Sequence, residues 1–200
     1  PLHESLNEAL AYAAGNYFFI LSDDDYILPG FLSDFMPEER EGMLFYTGLK
    51  QVDEESGREV GSALVGRKPI DSTEIPAALY HRSFHNHLSA FVFSRGLFEE
   101  TGGFVDTGYP NGYYVDTVMH AKLLSRAEGV VFSSSYDLVR TLSGSQLSSQ
   151  FFIGMEANDY LSRVTDQIWR DRYCRELYSR WFSSRRDLHR YIAQGRFATE

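Results

Sequence analysis

Three consecutive aspartates, Asp23, Asp24 and Asp25, are the residues best suited to chemistry, and only Ser22 separates them from the apolar run 17–21. Adjacent carboxylates repel one another, and a divalent cation that prefers oxygen ligands relieves that repulsion. Open α/β sheets bind their ligands outside the carboxyl ends of their strands, which is where this cluster falls. The cluster therefore predicts a metal-dependent site for a phosphorylated ligand. The alternative from the residues alone is a solvated turn formed by the aspartate side chains.

Asp116 and a histidine pair are further candidates. Asp116 stands at the start of a segment with helical periodicity, where an aspartate on its own is best explained as the helix N-cap. His85 and His87 are spaced i, i+2 and could bind a metal from one face of a strand. A histidine pair without a third ligand is more often structural or in contact with substrate.

The elements that must position these residues alternate between helices and strands. Residues 4–14 have helical spacing ended by Gly15, and the run 17–21 suits a strand buried on both faces of a parallel sheet. The turn residues 53–57 predict a hairpin between two strands. The remaining expected elements are a short helix after Pro29, strands at 43–49, 59–65, 90–93, 130–132 and 138–140, and helices at 96–101 and 116–126. The pattern begins in the middle of a repeating α/β unit.

Composition limits the range of functions. The 200-residue chain has a net charge of −9, which argues against nucleic acid as a partner. It contains no apolar run of membrane-spanning length. Its single cysteine, Cys174, excludes an internal disulfide and a cysteine zinc site, and favours a cytoplasmic location.

The C-terminal quarter, 151–200, differs in charge and in pattern. Two amphipathic helices are expected at 156–182 and 185–193, and their polar faces are rich in arginine. Such faces usually pack on their own domain. A peripheral contact of 156–193 with an anionic membrane is the alternative.

Several segments together resemble family 2 glycosyltransferases of the GT-A fold over roughly residues 4–150. The segments are Asn7 with Ala14-Gly15-Asn16-Tyr17, Leu21-Ser22-Asp23-Asp24-Asp25 with Leu28-Pro29, Phe98-Glu99-Glu100-Thr101-Gly102-Gly103-Phe104-Val105-Asp106, and Tyr114-Val115-Asp116. The resemblance implies an α/β, GT-A-type (Rossmann-like) mixed sheet flanked by helices. It further implies a partial glycosyltransferase domain at 1–150 that lacks the first nucleotide-binding strands, and a helical extension at 151–200.

The resemblance also implies roles for individual residues. Asp23 and Asp25 would hold Mg²⁺ or Mn²⁺ and through it the diphosphate of a nucleotide sugar, while Asp24 would contact the donor's ribose or sugar. Asp116 would be the general base in an inverting displacement. Arg140 would contact the donor phosphate in place of a family histidine. The implied acceptor-side residues are His85, His87, Gly103 and Tyr114.

Two further positions depart from the family pattern: Ser22 often aligns with the first motif aspartate, and Val115 with an acidic residue. The expected function is sugar transfer to a glycan or lipid-linked acceptor, in the cytoplasm or at the cytoplasmic face of a membrane. A non-catalytic GT-A-like binding module is the first alternative. A phosphotransferase that uses the same acidic cluster is the second.

Overall fold

The computed structural model describes residues 1–35, 40–63, 68–75, 87–108, 112 and 114–143. His85 and the predicted C-terminal extension 151–200 lie outside the described residues. The boundary predicted at residue 150 and the membrane contact through 156–193 therefore stay predictions.

Helices and strands alternate along the described chain. The helices are α1 (Leu2–Tyr12), α2 (Phe31–Phe35), α3 (Arg95–Thr101) and α4 (Val115–Arg126), and a short 3₁₀ turn spans Leu88–Ala90. The strands are β1 (Tyr17–Phe19), β2 (Tyr26–Ile27), β3 (Met43–Asp53), β4 (Glu59–Ala63), β5 (Ile70–Asp71), β6 (Phe91–Ser94) and β7 (Gly129–Leu142). The predicted hairpin is confirmed, because β3 and β4 pair antiparallel.

All these strands belong to one mixed sheet. Its order is β1-β6-β3-β7-β2, with β4 paired to β3 and β5 paired to β7. The long strands β3 and β7 run parallel, and the other pairs are antiparallel. The predicted α/β class with a mixed sheet flanked by helices is confirmed. The two short strands expected at 130–132 and 138–140 are one strand, whose register against β3 shifts on either side of Gly48.

The strand before the aspartates differs from its prediction. β1 is three residues long, and among the described residues it pairs only with β6, antiparallel, at the end of the sheet order. Helices nevertheless cover both faces. Tyr17 and Phe19 pack against aromatic rings of α2, whereas Phe18 packs against Phe98 of α3. A continuous apolar run predicts contacts on both faces of a strand, but it does not predict whether the neighbouring strand is parallel or antiparallel.

Helix α1 ends two residues before the predicted end. Ala13 is already extended, with φ −66° and ψ 130°, so Gly15 is not the C-cap. The guanidinium of Arg95 donates hydrogen bonds to the carbonyls of Ala13 and Gly15, the latter at 2.9 Å. A distant arginine thus satisfies carbonyls that a helix end leaves without partners.

Helix α4 packs against the core on one face of the sheet. Val115, Met119 and Leu123 are buried at helical spacing and belong to the same apolar cluster as Tyr46 and Phe91. Helix α2 packs against a second apolar cluster, in which its Phe31 and Phe35 join β-strand residues. This packing fixes the start of α4 relative to the strand ends.

Candidate functional site

The three aspartates lie in a tight turn that exposes two of their side chains and buries the third. The Asp25 N–H donates to the Ser22 carbonyl at 3.1 Å, which closes a four-residue turn with Asp23 and Asp24 at its two corners. These two corner residues are exposed, whereas the Asp25 side chain is fully buried. We call residues Ser22, Asp23, Asp24 and Asp25 the acid turn.

Three groups hold the buried Asp25 carboxylate. His87 Nε2 lies 2.5 Å from its Oδ2, the Thr141 N–H donates to its Oδ1 at 3.3 Å, and the Ser89 hydroxyl also donates to it. Burial opposes ionisation of this carboxyl. The hydrogen bond and charge of His87, with the other two donors, outweigh burial and hold the pKa of Asp25 below its ordinary value. Asp25 is therefore a stabilised carboxylate.

The 3₁₀ turn Leu88–Ala90 supplies most of these contacts. His87 is its N-cap residue, and Ser89 is completely buried within it. The Ser89 hydroxyl accepts the Ser22 N–H at 3.0 Å and lies 3.1 Å from the Ser22 hydroxyl. Because this turn leads directly into β6, which pairs with β1, the sheet itself brings residues 87–89 against the acid turn.

Asp116 lies in the first turn of α4, and its interpretation as the helix N-cap is wrong. The N-cap residue is Tyr114, which makes no side-chain capping bond. Burial raises the pKa of Asp116 above its ordinary value, despite hydrogen bonds from the Thr117 N–H at 2.7 Å and the Thr117 hydroxyl at 3.3 Å. The charge of His87 also acts on Asp116 and opposes the increase. Asp116 is thus a destabilised carboxylate near the same histidine as Asp25.

Tyr114 has an unusual backbone conformation. With φ 66° and ψ 8°, it is the one non-glycine residue with positive φ in the described part of the chain. Such a conformation costs about 1–3 kcal/mol and is concentrated at functional sites. It determines the entry of the chain into α4 and with it the position of Asp116.

Arg140 lies one residue before Thr141 on β7, and therefore next to the backbone N–H that Asp25 accepts. Its side chain is half-buried, and its Nε is buried without a hydrogen-bond partner among the described residues. An unsatisfied buried donor is costly, and an incoming anionic oxygen would remove that cost.

Gly103 has a clear structural role. Its φ is +79°, and a Cβ placed there would lie 2.8 Å from Oδ1 of Asn7. The Asn7 side chain accepts the N–H of Phe104 at 2.8 Å and donates to the Phe104 carbonyl at 2.9 Å. Lys122 donates to the Gly103 carbonyl at 2.9 Å. Gly103 therefore allows α1 and α4 to be attached to the loop after α3.

The structure joins Asp25 to His87 by a hydrogen bond, places Asp116 within the electrostatic influence of His87, and leaves Asp23 and Asp24 at the exposed tip of the turn. Sequence reasoning missed Ser89 and the Thr141 N–H. Ser89 was detectable only as a serine beside His87, before the apolar run 90–93. The Thr141 contact is made by backbone and leaves no signal in the residue type.

Metal ligation fits some of these residues and not others. Within the described ranges, no group of three or more histidine, cysteine or acidic side chains is arranged to hold an ion. The exposed carboxylates of Asp23 and Asp24 offer the hard oxygen ligands that Mg²⁺ and Mn²⁺ take. Both oxygens of Asp25 already accept hydrogen bonds, and its side chain has no exposed surface. The donor set fits a cation at the tip of the turn.

This architecture is that of a glycosyltransferase-like α/β fold. Residues 1–349 of S. aureus TarS in complex with UDP-GlcNAc match with a TM-score of 0.58 and 18% identity, over 88% of this chain and 52% of that chain. The longer TarS structure matches with a TM-score of 0.57 and 18% identity, over 88% of this chain and 30% of that chain. This chain thus spans about half the length of TarS 1–349. The sequence matches no protein-family model and no curated protein.

Among the residues that the structure describes, no helix has both the length and the apolar character needed to span a bilayer.

Proposed function

We propose that this protein is a glycosyltransferase that moves a sugar from a nucleotide-sugar donor to a hydroxyl group of a glycan or lipid-linked acceptor, with inversion. One observation carries the proposal: a carboxylate whose pKa is raised, Asp116, lies near the same histidine as a turn that exposes two carboxylates. The TarS-like fold supports a nucleotide sugar as the donor, because TarS is found with UDP-GlcNAc and with UDP.

Asp23 and Asp24, through a bound cation, and Arg140 would bind the donor's diphosphate. The resemblance implied Asp23 and Asp25 as the cation ligands, but the exposure of Asp23 and Asp24 favours these two for Mg²⁺ or Mn²⁺. When bound, such a cation supplies Lewis-acid stabilisation of the charge on the leaving diphosphate. Arg140 would donate its unsatisfied Nε–H to a phosphate oxygen.

Asp116 would act as the general base. It would take the proton of the acceptor hydroxyl while that oxygen bonds to the anomeric carbon, and the nucleoside diphosphate would leave with the electron pair of the broken C–O bond. A base works best when its pKa approaches the working pH, and burial moves Asp116 in that direction.

The test compares sugar transfer and donor hydrolysis by Asp116→Asn, Asp24→Asn and a control, Asp106→Asn, using UDP-GlcNAc and other UDP-sugars. Asp106 is exposed, and its hydrogen bond from the Gly108 N–H at 2.8 Å can also be accepted by asparagine. Loss of the base should lower the rate about 10²–10⁴-fold. Loss of Asp24 should weaken cation-dependent UDP binding, and the control should match the wild type. Normal turnover in both site variants would refute the proposal.

A non-catalytic GT-A-like binding module is the second candidate, and the departures from the family pattern at Ser22 and Val115 favour it. That module would bind UDP-GlcNAc without consuming it, and Asp116→Asn would leave binding unchanged. The products identify a phosphotransferase, because it would release a nucleoside monophosphate, whereas glycosyl transfer releases a nucleoside diphosphate.

A further inference from the structure

We propose that His87 and Asp25 form a positioning pair that fixes the acid turn, and that Asp25 is not a ligand of the cation. The inference rests on the proposed function, because it leaves the cation to Asp23 and Asp24. It also gives His87 a role different from the acceptor contact that the sequence resemblance implied.

The contacts of Asp25 leave no room for a cation in this arrangement. Its side chain has no exposed surface, while that of His87 is 15% exposed. One carboxylate oxygen lies 2.5 Å from the imidazole and the other accepts the Thr141 N–H. An Mg²⁺ ion needs a direct oxygen contact at about 2.0–2.1 Å, together with space for its remaining ligands and waters.

The pair acts on the exposed aspartates through the backbone of the turn. Asp25 is the last residue of the turn, and its N–H bonds to Ser22, the first. Ser22 is in turn bonded to Ser89, two residues after His87. Both ends of the turn are therefore fixed to residues 87–89, and the corner residues Asp23 and Asp24 are held facing outward. His87 also acts electrostatically on Asp116, so one residue influences both the turn and the candidate base.

Thermal unfolding tests the pair through Asp25→Ala, His87→Ala and the double variant. Each single change breaks the hydrogen bond between His87 and the buried Asp25 carboxylate and leaves one partner unsatisfied, so it should lower the Tm by about 5–10 °C in a protein of this size. The double variant should be no less stable than the worse single variant, since the interaction can be lost only once. Asp25→Asn, which keeps an acceptor for His87 and Thr141, should lose less stability than Asp25→Ala. If the Tm loss of the double variant equals the sum of the two single losses, the two residues do not act as a pair.

Mn²⁺ binding, measured by electron paramagnetic resonance with and without UDP, tests the assignment of ligands. Asp23→Asn and Asp24→Asn, each measured well below its own Tm, should weaken Mn²⁺ binding at least about tenfold, or about 1.4 kcal/mol. Asp25→Asn, measured well below its Tm, should bind Mn²⁺ within about threefold of the wild type. Loss of Mn²⁺ binding in Asp25→Asn, measured well below the Tm of that variant, would overturn the inference. If the wild-type protein binds no Mn²⁺, the cation dependence of the proposed function is refuted. The Tm comparison then tests the pairing of His87 with Asp25 by itself.

Discussion

Alanine at Gly103 should destabilise the protein more than alanine at Gly102, although both glycines have left-handed backbone, with φ values of 79° and 70°. An L-residue in that region costs about 1–2 kcal/mol, and both variants bear this cost. A Cβ at Gly102 meets no atom within 4 Å, but one at Gly103 lies 2.8 Å from Oδ1 of Asn7. If Asn7 moves away, its two hydrogen bonds to Phe104 are lost, at about 1 kcal/mol each. We expect about 1–2 kcal/mol for Gly102→Ala and about 3–4 kcal/mol for Gly103→Ala.

Urea unfolding of four variants measures this difference. Gly102→Ala is the matched control for backbone strain, and Asn7→Ala alone should cost about 2 kcal/mol through its two lost hydrogen bonds. In the Asn7→Ala background the clash is absent, so the added penalty of Gly103→Ala should fall to that of Gly102→Ala. Equal penalties for the two glycine variants in the wild-type background would show that the contact with Asn7 does not decide the preference for glycine at position 103.

Three further predictions concern charged side chains. The folded pKa of Asp116 is raised, so the stability that this carboxyl contributes is present below its ordinary pKa of 3.8 and is lost as the pH rises through the folded value. Asp116→Asn should therefore have a higher Tm than the wild type at pH 7, and this gain in Tm should vanish in acid. The folded pKa of Asp25 is lowered, so the stability that this carboxylate contributes is present above its ordinary pKa of 3.8 and is lost as the pH falls through the folded value. Asp25→Asn should therefore be less stable than the wild type at pH 7 and approach it in acid, and Tm measured against pH tests this. Arg95→Ala removes two hydrogen bonds to the end of α1 and a ring contact with Phe18, and should cost about 2 kcal/mol in urea unfolding; a change below about 0.5 kcal/mol would contradict these contacts.

Local patterns predicted the elements of the fold better than they predicted the contacts between them. The hairpin at 53–57, helix α3 and its end at Gly102 were predictable because turn residues and helix ends have signals within a few positions. The end of α1 was not, since the arginine that binds its carbonyls lies about 80 positions away in sequence. The position of the acid turn after an apolar strand was likewise predictable from adjacent residues.

The division of labour within the acid turn could not be predicted from three identical residue types. Which aspartate is buried depends on where the turn closes, and on a histidine 62 positions away. The same limit applies to Asp116, whose position in the first helical turn rather than at the cap depends on the φ of Tyr114. Sequence reasoning identified the residue types at the site, but tertiary contacts set their electrostatic states.

Those electrostatic states support a functional interpretation of Asp116 more strongly than of Asp25. The Asp25 carboxylate has donors on both oxygens, so stability alone explains why it is there. Asp116 is destabilised by burial, and the residue two positions before it has a strained backbone. The destabilised Asp116 carboxylate and the strained Tyr114 backbone both oppose folding at the start of α4. An asparagine or a serine at position 116 would avoid the first of these two costs. Sites that reduce stability in this way are typical of active sites, where a poised charge is needed for chemistry. If Asp116→Asn is more stable than the wild type and inactive, the Asp116 carboxylate both lowers stability and is needed for catalysis. If it is more stable and fully active, the half-buried Asp116 carboxylate has no catalytic role.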